Sequence, residues 1–198
     1  MTVEDVPDSW PVTGSRHEYD GAVVSVRVDS LTSDGATFDR EVVSHPGAVA
    51  IVAIDDDDRV LLVSQYRHAA GRRMVEFPAG LLDVEHELPV DAAKRELAEE
   101  GGIEASRWQR LIEYLPSPGF SSERVQVYLA TGLAQVESPD GFTAEHEEAT
   151  MSRDWVAFDE LLAAVLAGAV QNGVTVVGSL ALNHLRHEKD RSGAAARA

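Results

Sequence analysis

The chain has 198 residues, enough to bury a sizeable core, and its 44% hydrophobic content is ordinary for a globular protein. Its 34 acidic side chains against 17 basic ones leave a net charge of −17, which argues against nucleic acid or an anionic membrane as partner, because phosphate backbones are held by clustered Lys and Arg. Cysteine is absent, which excludes disulfides and thiol chemistry; with no signal-peptide pattern and no apolar run of ~18 residues, a cytoplasmic location is expected.

Taken in chain order, residues 22–28 and 36–43 read as strands around the turn residues Ser33, Asp34 and Gly35. A lone hairpin cannot fold by itself, so the alternating Val24, Val26 and Val28 need cover from the rest of the chain or from a second subunit. Residues 1–45 are therefore set apart as an N-terminal strand segment. Residues 48–54 and 60–66 flank the acidic turn 55–58 and read as a second, more buried hairpin. The four aspartates of that turn lack calcium-loop spacing and read as solvated. Arg67, His68, Arg72 and Arg73 then gather basic charge just before Glu76-Phe77-Pro78-Ala79-Gly80. Guanidinium forks suit a diphosphate, with surface acids as the competing partners.

A helix is predicted over 89–100, with Pro89 in its first turn and Gly101-Gly102 as its stop. Helical spacing sets Glu96, Glu99 and Glu100 on one arc, beside the apolar stripe Val90, Ala93 and Leu97, while Asp91, Lys94 and Ala98 point to solvent. Like charges ~5.5 Å apart at an effective dielectric near 20 repel by roughly 3 kcal/mol, and a helix C-terminus favours Lys or Arg instead. Three carboxylates in that position call for a cation. Oxygen ligands at this density suit Mg²⁺ or Mn²⁺, hard ions that share their coordination with substrate phosphates.

Beyond the helix, residues 110–114 and 125–130 look like strands around the loop Ser117-Pro118-Gly119-Phe120, and 155–158 adds another. Asp159 is placed as the cap of an apolar helix running to 167, residues 174–187 as the last helix, and 189–198 as a disordered tail. Residues 46–188 form the main domain, of α/β class, with strands on both sides of a central helix and further helices at the end.

The stretch from Gly80 to Ile103 resembles the Nudix box, G-x5-E-x7-R-E-U-x-E-E-x-G-U with U aliphatic, the signature of hydrolases that cleave nucleoside diphosphates linked to another group. Glu87, Arg95, Glu96, Leu97, Glu99, Glu100, Gly102 and Ile103 all match. One departure is visible: an extra residue separates Gly80 from Glu87, and His86 stands at the nominal spacing. Glu87 is the better match because a carboxylate can accept a salt bridge from Arg95. The runs QYRHAAGRRMVEFPAGLLD, SPGFSSERVQVYLA and EHEEATM are similar to the ADP-ribose pyrophosphatase branch, over roughly residues 40–151.

That resemblance implies a Nudix α/β/α sandwich with a mixed sheet, preceded by a small N-terminal β-hairpin segment. It implies that the carbonyl of Ala79 and the side chains of Glu96, Glu99 and Glu100 hold Mg²⁺, with Mn²⁺ as an alternative, and that Arg95 pairs with Glu87 to lock the loop on the helix. It further implies that Arg67, Arg72 and Glu76 line the substrate, that Glu123 reaches the terminal ribose and that Arg40 approaches the nucleotide. A surface ion pair is the competing reading for the last two. The general base comes from the stretch 145–148, Glu148 first and Glu147 next, with Glu145 also open. The expected reaction is hydrolysis of ADP-ribose to AMP and ribose 5-phosphate, and the expected assembly a homodimer whose N-terminal strands cross to the partner and carry Arg40 to its active site. Hydrolysis of another sugar nucleotide or a dinucleotide such as NADH, and a catalytically silent nucleotide sensor, are the alternatives.

Overall fold

The computed structural model describes residues 2–136 and 150–195. The chain forms two compact units, Met1–Pro46 with Leu115–Glu123, and Gly47–Tyr114 with Arg124–Ala198.

The first unit is an antiparallel sheet of β1 (Val12–Asp20), β2 (Ser25–Ser33) and β3 (Ala36–Ser44), ordered β1-β2-β3. The β2–β3 hairpin turns through Asp34 and Gly35, whose φ values of 51° and 77° give the doubly left-handed turn that matches strand twist. Strand β1 adds to the predicted pair. Its residues are exposed throughout and carry no apolar alternation, so sequence offered no signal for it. The loop of this unit is stitched on through Val43, which donates its N–H to Phe120 O at 2.8 Å and accepts from Ser122 N at 3.0 Å.

The second unit holds two sheets. Strands β4 (Ala48–Ala53), β7 (Ala79–Leu81), β8 (Ile103–Tyr114) and β9 (Val125–Gln135) form a mixed sheet, β7-β4-β9-β8, in which β4 and β9 run parallel. Strands β5 (Arg59–Arg67), β6 (Arg72–Glu76) and β10 (Ser152–Ala157) form an antiparallel one, β10-β5-β6. The predicted hairpin of residues 48–54 and 60–66 therefore does not exist as such. Beyond the single bridge Ile54–Val60 its strands part into different sheets. Strand β4 throughout, and β5 from Val60 to Val63, are continuous apolar runs, the pattern of a strand covered on both faces, and such a run does not say which neighbour it pairs with.

Helices cover both faces of the mixed sheet. On one, Ala92, Ala93 and Leu97 of α1 (Pro89–Gly101) pack with Val49, Ile51, Ala53, Tyr128 and Ala130. On the other, Phe158, Leu161 and Val165 of α2 (Phe158–Leu166) and Leu182 of α3 (Gly173–Ala195) pack with Val52, Val125, Val127 and Leu129. Alternation along β4 thus sends neighbouring side chains to two cores, which is the expected α/β/α sandwich.

Helix α1 agrees closely with its prediction: Pro89 lies in the first turn, and Gly102, at φ 64°, caps the end by donating to Ala98 O and Leu97 O. Two other helix ends differ. Ala157 rather than Asp159 occupies the N-cap of α2, Asp159 lying in its first turn, and α3 continues through 189–195, where a tail was expected.

Candidate active site

Helix α1 and strand β7 build the site between them. The Glu100 side chain is only 5% exposed, and its Oε2 accepts the backbone N–H of Ala79 at 3.0 Å, tying the helix end to the strand. Next along β7, Gly80 has no side chain where one would collide: a Cβ there would run into the carboxyl carbon and Oε1 of Glu96. The absent side chain makes a cradle in which the Glu96 carboxylate lies against the strand backbone.

Arg95 organises the remaining acids. Its Nε and Nη2 each donate to one oxygen of Glu87 at 3.1 Å, a two-pronged bond that fastens the preceding loop to the helix. Its Nη1 donates to Glu96 Oε1 at 2.7 Å and to Glu99 Oε2 at 3.1 Å. The bond to Glu87, aided by the charge of Glu96 and opposed by burial, raises the Arg95 pKa above its ordinary value. The extra loop residue is absorbed by a turn in which His86 adopts φ 66° with its side chain exposed, leaving Glu87 in reach of Arg95.

Among the described residues no three His, Asp or Glu side chains stand together as a ready metal cage. The donor set nevertheless fits a hard divalent ion. Glu96 and Glu99 are partly buried, Glu100 is almost wholly so, all three are oxygen donors, and the backbone of β7 meets Glu96 at Gly80 and Glu100 at Ala79. One stabilising group at this helix end was not anticipated: Arg153 of β10 donates to the Glu99 carbonyl at 3.3 Å, supplying positive charge that the last turn of α1 lacks. Nothing in the sequence marks it, since it comes from a distant strand.

The basic cluster expected to meet substrate is not one cluster. Arg67 Nη2 binds Glu76 Oε2 at 2.7 Å, with Nε bonded to the same carboxylate, so two expected substrate contacts are bonded to each other. Glu76 is 2% exposed and is also reached by Gln65 at 3.3 Å. Arg72 bonds Gln171 in the α2–α3 connection, whereas Arg73 donates to Ser64 O at 3.1 Å and Thr150 O at 3.0 Å. Consecutive residues of a strand face opposite ways, and β6 sends these two arginines to opposite sides. Arg40 and Glu123 lie in the first unit. Arg40 donates to Asp39 O at 2.8 Å and stacks 4.4 Å over Phe38, and Glu123 donates its N–H to Ser121 Oγ at 3.1 Å. Glu145, Glu147 and Glu148 lie outside the described residues.

Known proteins share much of this sequence and its fold. Residues 44–174 match the NUDIX domain model. The chain is 48% identical over 166 residues to an ADP-ribose pyrophosphatase of Mycobacterium tuberculosis, covering 83% of this chain and 79% of that one. It is 36% identical over 160 residues to a methanol dehydrogenase activator of Bacillus methanolicus, covering 80% and 84%. A solved structure described as an ADP compounds hydrolase superposes with a TM-score of 0.78 at 20% identity, over 95% of this chain and all of the other, a likeness of fold. The chain is a member of the Nudix family.

Proposed function

We propose that this protein is a Nudix hydrolase that converts ADP-ribose and water to AMP and ribose 5-phosphate, with Mg²⁺ as its working ion and Mn²⁺ as a substitute. The observation that carries this reading is the α1–β7 junction, where Glu96 lies against Gly80, Glu100 accepts the Ala79 N–H, and Arg95, fastened to Glu87, also holds Glu96 and Glu99. The substrate is taken from the 48% identical pyrophosphatase.

In this reading Glu96, Glu99, Glu100 and the Ala79 carbonyl hold the ions. Divalent ions bound there supply neutralisation of the diphosphate oxygens and a water of lowered pKa. Arg95 keeps Glu87, and so the loop, in place. Glu100 is held at a fixed height by the Ala79 N–H. Glu148, with Glu147 next, removes the proton from the attacking water, a role typically worth ~10² to 10⁴-fold. Arg67 and Arg72 face the diphosphate, with Glu76 orienting Arg67. Arg40 and Glu123 are assigned to the nucleotide and the terminal ribose on family resemblance alone. The working form is a homodimer joined through the N-terminal strands, an N-terminal strand segment of residues 1–45 precedes the hydrolase domain that begins at 46, and the site of action is the cytoplasm.

The test is a panel of nucleoside diphosphate compounds, ADP-ribose, NADH and a guanosine diphosphate sugar among them, assayed with Mg²⁺ and with Mn²⁺ and with products identified. AMP and ribose 5-phosphate from ADP-ribose at the highest kcat/KM is the expected result. A higher kcat/KM for another member would move the substrate assignment, and binding without turnover of any member would make the protein a sensor.

A further inference from the structure

The Arg95 guanidinium does more than fasten a loop. Its Nε–Nη2 edge is fully used by Glu87, and the planar group then has to aim Nη1 the other way, onto Glu96 at 2.7 Å and Glu99 at 3.1 Å. An Arg placed four residues before a Glu is the weaker order for a helical pair, so helix geometry alone does not account for the contact. Both carboxylates are oxygen donors assigned above to the metal, and both are partly buried, at 13% and 21% side-chain exposure. With no basic residue in the last turn of α1, Arg95 is the cation that its own helix brings to them.

We propose that Arg95 is the built-in counter-ion of the metal-free site, and that a divalent ion binds by taking Glu96 and Glu99 from Nη1 while Nε and Nη2 stay on Glu87. The proposal rests on the metal reading given above. The guanidinium pivots on Glu87, so the loop remains fastened in both states. The charge exchange keeps the acidic helix end folded without metal and weakens metal affinity by the strength of the contacts displaced. Glu87 sets the balance: by engaging one edge of the guanidinium it limits how firmly Nη1 competes.

Arg95→Gln and Glu87→Gln separate this from a purely structural role. Calorimetric titration with Mg²⁺ and with Mn²⁺ should show Arg95→Gln binding about threefold tighter or more than wild type, and Glu87→Gln binding weaker by a similar factor. Thermal melts should show the Arg95→Gln loss of stability to be larger without metal than at saturating Mg²⁺. A structural clamp predicts equal losses with and without metal, and an unchanged or weaker affinity in Arg95→Gln. Either result overturns the proposal. If Arg95→Gln does not fold, unchanged or tighter binding in Glu87→Gln overturns it as well. Absence of metal binding by the wild-type protein would instead remove the metal reading itself, and the proposal with it.

Discussion

An alanine at position 80 would drive its Cβ into the Glu96 carboxyl group, and that clash has to be relieved by moving the Glu96 side chain. The group it meets is the far end of a flexible side chain, so Gly80→Ala should change stability by less than about 1 kcal/mol while lowering kcat on the order of 10²-fold, since a displacement of about 1 Å at a reacting centre has that effect. Denaturant melts and steady-state kinetics read the two separately. Glu100→Gln is the complementary case. A glutamine oxygen still accepts the Ala79 N–H, and loss of one negative charge relieves the helix C-terminus, so the melting temperature should hold or rise. In its proposed role at the metal, Glu100 should nonetheless account for most turnover, and near wild-type kcat at saturating Mg²⁺ would remove it from that role. The matched box residues were legible because their spacing is local. The partners of Arg67, Arg72 and Arg73 were not, because strand alternation and contacts as distant as Gln171 and Thr150 decide where those arginines point.

Helix α1 was readable as an element because every cue agreed: a first-turn proline, an apolar stripe and a glycine stop that takes the left-handed conformation. Strand β6, with the sequence RRMVE, carries no such agreement and is defined by its pairing with β5. Buried runs such as β4 and β5 announce burial but not partners, which is why an apparent hairpin proved to be the separation of two sheets. Close packing of elements gives its own prediction. At Gly178 of α3 a Cβ would meet Phe77 Cε2 at 2.9 Å and Val127 Cγ1 at 3.3 Å, so the helix lies tight on a fully buried ring. Gly178→Val should lower stability by about 1–3 kcal/mol, seen as a lower melting temperature, while KM for ADP-ribose at a temperature where the variant is folded stays unchanged. A melting temperature equal to wild type would mean that α3 can shift freely, against the packing described here.

For the molecule as a whole, the N-terminal sheet leaves Val12, Tyr19 and Trp10 half exposed or more, and β1 has no covered face of its own. Light scattering at assay concentration should give a homodimer, twice the 21.4 kDa of one chain, and deletion of residues 1–44 should abolish both assembly and substrate affinity. A fully active monomer would contradict the assembly. The family was legible at this scale from one helix and its flanks, and the third N-terminal strand was not, since exposed residues carry no periodic signal. In the proposed reaction a divalent ion held by α1 drives hydrolysis of ADP-ribose. Protein stripped with a chelator should release no AMP from ADP-ribose, and restoring Mg²⁺ should return equimolar AMP and ribose 5-phosphate. Release that persists in the stripped protein, or none after Mg²⁺ is restored to the folded protein, would contradict it.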